Sequence, residues 1–310
     1  MSNTLILFYH AGWGKPVYTR AELPAGFEIT LDQRRYAEAR AVVFHIPSLK
    51  WTPRFLLPRK LPRQVWVAWS MESEENYLRL HDPSFMRQFD LTMTYRLNAD
   101  VPILYFSYYG TIPGLVRALR AAPQPKTADA PANLMISSRV DRSGRRAYAR
   151  ELVRHLRVDS YGKFLRNKKI SNDQGRVSKN EIIAHYKFTL AFENSICDDY
   201  VTEKFFDPLA FGSVPVYLGA PNVARFAPGE HCFINVVDFP SPRALAEYLN
   251  HLARDDAAYQ EYFAWKQKPF LPVFSELLAS QEKNLYARLC ERVGALLAEP
   301  GESVFIALSR

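Results

Sequence analysis

Short apolar runs recur along the chain, each ending in a polar or glycine-containing turn. LILFY (5–9), AVVFH (41–45), VWVAW (65–69) and the segment 90–95 read as buried strands. A second series follows at 134–138, 158–162, FTLAF (188–192), VPVYLG (214–219) and 233–237. Between and after these runs the apolar period changes to that of a helix, at 147–156, 203–211, 242–254 and 255–265. The 203–211 helix carries its own punctuation, with Thr202 where an N-cap belongs and Gly212 where the helix should stop. Strands alternating with helices predict βαβ units and an α/β fold.

The stretch 118–133, ALRAAPQPKTADAPAN, breaks both patterns with three prolines and six alanines. It reads as a linker, dividing the chain into an N-terminal domain (1–125), a C-terminal domain (126–272) and a C-terminal region (273–310). Residues 163–181 are basic and lack apolar periodicity, so they read as a solvated loop. Residues 275–298 form one amphipathic helix, with Leu277, Leu278, Leu285, Leu289, Val293 and Leu296 at helical spacing. That helix is able to cross back onto the first domain or to lie on a membrane surface, and its even charge disfavours the second.

Composition narrows the class. With 310 residues, 48% hydrophobic and 14% aromatic, the chain buries real cores and is not disordered. A net charge of +8 favours anionic partners: nucleic acid, anionic lipid or a phosphorylated small molecule. The cations are spread through all regions and no nucleic-acid motif occurs, so nucleic acid is disfavoured. Cys197, Cys232 and Cys290 are widely spaced and contain no C-x-x-C, which indicates neither a zinc site nor a disulfide framework. No run approaches the ~18–20 apolar residues of a membrane span. The expectation is a soluble cytoplasmic protein, with peripheral contact at the inner membrane left open.

Candidate chemistry gathers where strands end. His10 and Trp13 follow the first strand and suit a sugar-binding wall or plain packing. Ser70–Asn76 after the third strand holds three glutamates, which suit a general base or a solvated surface. Four arginines lie between 139 and 146, where a guanidinium fork suits phosphate. The densest stretch is 186–219, YKFTLAFENSICDDYVTEKFFDPLAFGSVPVYLG. Polar groups between a strand and a helix N-terminus suit an anion, and ordinary capping residues look the same.

Within that stretch FENS, D-Y-V-T-E-K and P-V-Y-L-G resemble the signature of glycosyltransferase family 10, the GDP-fucose-dependent α1,3/α1,4-fucosyltransferases. The resemblance extends to WVAWSMES and FDLTMTYRLNADVPILY, where Leu91 and Ala99 depart from the family pattern, and to VDSYG and residues 220–266. It implies a GT-B-like α/β fold of two facing Rossmann-like domains with a cleft between them. It further implies inverting transfer of L-fucose from GDP-fucose to a glycan acceptor containing N-acetylglucosamine, at O3 of that sugar. Carried over residue by residue, Glu72 is the catalytic base, while Arg145, Asn194, Tyr200, Glu203 and Lys204 bind the donor. Tyr200 reads equally as a structural tyrosine. Glu193, His10 and Trp13 fall to supporting or acceptor roles. Arginine and lysine are able to do a cation's work, so no metal and no cofactor beyond the donor is expected. A different acceptor, or another GDP-sugar on the same fold, stays open.

Overall fold

The computed structural model of the chain describes residues 3–10, 22–49 and 57–298. These divide into two compact units. The first comprises Met1–Thr94, Asn98–Pro102 and Lys283–Arg310; the second comprises Tyr95–Leu97 and Ile103–Glu282.

The first unit is built on five strands, β1 (Thr4–Phe8), β2 (Phe27–Thr30), β3 (Ala41–His45), β4 (Val65–Ser70) and β5 (Leu91–Thr94). They form one sheet in the order β2-β1-β3-β4-β5, with every neighbouring pair parallel. β3 is buried at all five positions, as a central parallel strand covered on both faces should be. Leu5, Leu7, Val42, Phe44, Trp66 and Phe85 form the core on one face, Phe85 coming from the short helix α1 (Pro83–Met86). Ahead of β3 the chain makes a single 3-10 turn, Gln33–Arg35.

The second unit opens with helix α2 (Ile112–Arg120) and contains strands β6 (Ala132–Leu134), β7 (Val158–Ser160), β8 (Phe188–Phe192), β9 (Val214–Leu218) and β10 (Ile234–Asn235). Helices α3 (Arg145–Leu152), α4 (Arg176–His185), α5 (Glu203–Phe211), α6 (Pro242–Leu252), α7 (Asp256–Glu261) and α8 (Pro272–Ser280) complete it. Its strand order, β10-β9-β8-β6-β7, is again wholly parallel. Counted along each unit, both sheets therefore have the doubly wound order 2-1-3-4-5, and in both the winding reverses between the first and third strands. In the second unit that reversal lies between β6 and β8.

The structure departs from the sequence pattern in four places. The linker expected at 118–133 is not the division between units: Leu115 and Leu119 of α2 are buried, and Phe106 packs edge-on to Phe206 of α5 at 4.9 Å. Lys266 Nζ, itself buried, donates to Leu119 O and Leu209 O, tying the α2 end to the same body. Residues 176–181, expected as loop, open α4, whose stripe is held by ion pairs instead of apolar contacts. The single helix expected over 275–298 is two. Ser280 Oγ turns back to Leu277 O (2.7 Å), and Asn284 Oδ1 accepts Tyr286 N (2.8 Å) to start α9 (Leu285–Ala298). This α9 belongs to the first unit, with Tyr286 against Phe8, Arg288 Nη1 donating to Pro102 O at 2.6 Å and Arg292 paired with Asp100. Lastly, β6 and β7 are three residues each, both shorter than the apolar runs suggest, and β6 begins two residues earlier.

Candidate active site

At the carboxyl ends of β6 and β8 two loops meet across the reversal point of the second unit. Arg142 N donates to Asn194 O (2.7 Å), and Ser143 Oγ donates to Glu193 O (2.6 Å). Gly144 lies at φ 71°, the left-handed region that glycine occupies without a Cβ clash, and turns the chain into α3. Arg145, the first residue of that helix, is only 2% exposed. Its Nη1 donates to Phe192 O and its Nη2 to Val140 O, both at 3.0 Å, leaving Nε without a partner. The guanidinium expected to face a diphosphate thus braces the two loops from beneath. Burial lowers its pKa, opposed by the charges of Glu193 and Asp141.

Beyond β8 the chain reaches α5 through a closed polar network. Thr202 is the N-cap, its Oγ1 accepting from Lys204 N at 3.3 Å. Glu193 is fully buried, and its Oε1 accepts from Thr202 N (2.9 Å) and Thr202 Oγ1 (2.8 Å). Lys204 Nζ donates to Thr202 Oγ1 at 2.9 Å and pairs with Glu193 Oε2 and Glu203 Oε1, each at 3.2 Å. All three ammonium protons are thereby engaged, while a quarter of the side chain stays exposed. Burial would lower the Lys204 pKa, but Glu193 and Glu203 outweigh it and hold it well above the usual lysine range. Burial pushes the Glu193 carboxyl up, with Lys204 opposing. At Glu203 burial is likewise the largest influence, yet Lys204 and Lys179 together hold the carboxyl down to about 2.

Glu193, Glu203, Lys204 and the backbone of Asn194 therefore come together with Arg145 behind them. Tyr200 does not join them at a surface. Its ring is 1% exposed and packs edge-on to Tyr95 at 5.0 Å and Tyr105 at 6.3 Å, so it builds the wall of the loop and offers no free face to a ligand. Asp199, in the left-handed region at φ 65°, exchanges hydrogen bonds with Asn222 and accepts Leu97 N at 3.1 Å. Three charged residues went unsingled in the sequence: Asp207, Arg176 and Lys179. Asp207 is fully buried on α5 and paired with Arg176 (2.7 Å) and Lys179 (2.9 Å) of α4. Their i, i+3 spacing, facing an acid pair at i, i+4 in Glu203 and Asp207, was the available signal.

In the first unit, Glu72 follows β4 on a turn closed by Ser70, whose Oγ donates to Glu72 O (2.8 Å) and accepts Glu72 N (3.1 Å). Glu72 is half-buried. Glu74 is buried and Glu75 pairs with His81 at 3.1 Å. Burial and the Glu72 charge raise the Tyr77 hydroxyl. His10, after β1, stacks among Tyr9 and Phe44, and its Nδ1 is buried with no hydrogen-bond partner among the described residues. His45 ends β3 with Nδ1 2.7 Å from Ser48 Oγ and its ring 4.7 Å from Trp69. Burial, with a smaller push from His10, lowers His45 to about 4, and burial lowers His10 too. Trp13 lies outside the described residues. Among the described residues no three His, Cys, Asp or Glu side chains group to hold a metal ion, and no helix is long and apolar enough to cross a membrane.

Two parallel sheets wound 2-1-3-4-5, with charged groups at the head of a helix in one and a strand-end carboxylate in the other, make this a protein of two doubly wound α/β units with polar groups at their strand ends. Residues 125–305 match the family described as "Glycosyltransferase family 10 (fucosyltransferase) C-term", and residues 1–106 match "Fucosyltransferase, N-terminal". The chain belongs to glycosyltransferase family 10, the fucosyltransferases. It is 39% identical over 223 residues to the GDP-fucose protein O-fucosyltransferase 3 of Bos taurus, covering 67% of this chain and 46% of that protein. It is 32% identical over 297 residues to the α-(1,3)-fucosyltransferase B of Drosophila melanogaster, covering 89% and 64% respectively. The chain thus spans about half to two thirds of the length of these relatives. In fold it is similar to a crystal structure of an α1,3-fucosyltransferase, with a TM-score of 0.61 at 18% identity over 94% of this chain and 90% of that one. A GDP complex of an α1,3-fucosyltransferase gives a TM-score of 0.59 at 19% identity, covering 95% and 89%.

Proposed function

We infer that the chain transfers L-fucose from GDP-fucose to a sugar hydroxyl with inversion, forming an α1,3 linkage to N-acetylglucosamine in a glycan acceptor. The observation that carries this reading is the buried Glu193–Thr202–Lys204 network at the head of α5, beside a partly buried carboxylate, Glu203. The donor diphosphate takes one of the three Lys204 protons, and the exchangeable partner is Glu203, since Glu193 and Thr202 are buried. Glu203, released from Lys204, and Asn194 then accept or donate to the ribose hydroxyls. Arg145 supports the loops and adds positive charge behind them, so the direct phosphate contact belongs to Lys204 and the positive end of α5.

Glu72 takes the proton of the attacking hydroxyl as that oxygen bonds to the fucose anomeric carbon and the bond to GDP breaks with its electron pair on the diphosphate. General-base help of this kind contributes about 10²–10⁴ in rate. The protonated Glu72 returns its proton to solvent after product leaves. No metal is assigned a step, since Lys204 neutralises the leaving diphosphate.

A second reading changes the acceptor only. The bovine, canine and human relatives at 36–39% identity are named GDP-fucose protein O-fucosyltransferase 3, which favours a protein hydroxyl in place of a glycan one. Incubation with GDP-fucose and N-acetyllactosamine-type glycans beside folded protein acceptors, with and without EDTA, separates the readings. Fucosylated glycan is the expected product. Product only on protein establishes the second reading, and no GDP release with any acceptor removes both. Loss of transfer in EDTA removes the metal-free step.

A further inference from the structure

Lys204 cannot serve both a diphosphate and Glu203 without cost. Once Lys204 turns to the donor, Glu203 is a partly buried carboxylate without its nearest cation, and such a group is destabilised. A second cation on that side of α5 is Lys179, whose Nζ is held 2.9 Å from Asp207, one turn beyond Glu203 on the same helix, and whose charge helps to lower the Glu203 carboxyl. Lys179 stands on α4, which follows the exposed run 165–175 and starts at Gly175 (φ 67°, ψ −118°), a backbone region essentially restricted to glycine. The apolar face of α4 is thin, with Ile183 its one buried hydrophobic residue and Val177 of its first turn 54% exposed.

What holds this helix in register is Asp207. It sits one turn after Glu203 on α5 and is fully buried. Its Oδ1 accepts Arg176 Nη2 and Tyr109 Oη, each at 2.7 Å, and its Oδ2 accepts Lys179 Nζ at 2.9 Å. The Arg176 guanidinium also lies over the Tyr109 ring, 4.8 Å from its centroid. One carboxylate therefore gathers two cations of α4 and one hydroxyl from a separate 3-10 turn, Tyr105–Tyr109. A buried carboxylate with three charge-assisted or hydroxyl donors is a fixed point, because breaking any one leaves charge stranded.

We propose that Asp207 is a positioning residue of the donor site: it fixes Lys179 beside Glu203, so that Glu203 keeps a cation when Lys204 turns to the donor diphosphate. The proposal rests on the donor assignment above. It makes α4 part of the donor site without contact to the donor, and it gives the ion pairs of Asp207 a consequence for binding beyond holding the helix.

The test is a double-mutant cycle read by GDP titration calorimetry, with thermal unfolding to follow the fold. Lys179→Met is expected to weaken GDP binding about tenfold, the scale of one charge-assisted contact. In a Glu203→Gln background, which has no carboxylate to compensate, the same substitution is expected to have little effect. Asp207→Asn is expected to weaken binding in the same direction, and less so once Lys179 is already Met. Because Asp207→Asn endangers folding, the Lys179/Glu203 cycle carries the decision. Equal losses from Lys179→Met in both backgrounds, or unchanged GDP affinity with an unchanged melting temperature, overturn the proposal. Coupling without fucose transfer by the unsubstituted chain upholds it while removing the transferase reading. Transfer without coupling does the reverse, and absence of GDP binding by the unsubstituted chain removes both.

Discussion

The two units share a sheet order and differ in what stands at the corresponding edge. In the second, the loops after β6 and β8 are stitched together and crowned by Glu193, Glu203 and Lys204, two carboxylates sharing one ammonium. In the first, the strand ends present His10, His45 and Trp69, with the pKa of both histidines lowered by burial and Glu72 as the nearby charge. One topology therefore carries a densely charged edge in one unit and a mainly aromatic edge with a single neighbouring carboxylate in the other. The difference lies in the loops, since the strands are interchangeable in architecture.

The contrast predicts separable defects. Glu72→Gln should lower kcat by about 10²–10⁴ while GDP affinity measured by calorimetry stays near that of the unsubstituted chain. Survival of transfer would move the base elsewhere. Lys204→Ala should do the opposite in emphasis, weakening GDP binding by roughly 10- to 100-fold for loss of a charge-assisted contact; unchanged affinity would take the diphosphate away from α5. Next in size is Gly219→Ala. A Cβ there would stand 2.6 Å from Glu193 Cγ and closer still to the Tyr217 hydroxyl, so the edge of the second unit should lose about 1–3 kcal/mol, visible as a lower melting temperature.

Acid should distinguish the units most gently. His45 is lowered from 6.5 to about 4 in the folded chain, so between these values the unfolded chain binds more protons and stability rises with pH. Glu203, lowered from 4.5 to about 2, confers its stability above 4.5 and loses it as pH falls toward 2. Hydrogen exchange, corrected for its intrinsic pH dependence, should loosen around β1 and β3 as pH falls below 6.5. Around α5 the contribution of Glu203 should be lost only below about 4.5. Simultaneous loosening would mean that the two edges are not independently held.

Legibility in the sequence followed the range of the interactions. β8, α5, β9 and the caps Thr202 and Gly212 were readable because strand composition, an N-cap hydroxyl and a left-handed glycine are local signals. Arg145 could be placed on the first turn of α3, yet its burial under Phe192 O depends on a strand 47 residues away. Tyr200 stayed open between a donor contact and a structural tyrosine for the same reason, since its partners Tyr95 and Tyr105 lie far along the chain. α4 was hidden because its stabilising contacts are ionic, and apolar periodicity does not register them. Asp207 was hidden inside the apolar string EKFFDPLAF. The split of α8 from α9 was marked by Asn284, a cap signal overridden by the continuity of leucines on either side.

Helix α9 has a consequence for how the molecule is made. The first unit draws on Thr4–Thr94 and then on Leu285–Ala298, with nearly all of the second unit encoded between. At ~5–20 residues per second, a ribosome that has finished β5 needs roughly 10–40 s more to deliver the helix that covers β4. The strand-end histidines and Glu72 thus spend that interval on a nascent sheet lacking one of its covering helices. The edge assigned to the acceptor is completed last, after the edge assigned to the donor has been synthesised.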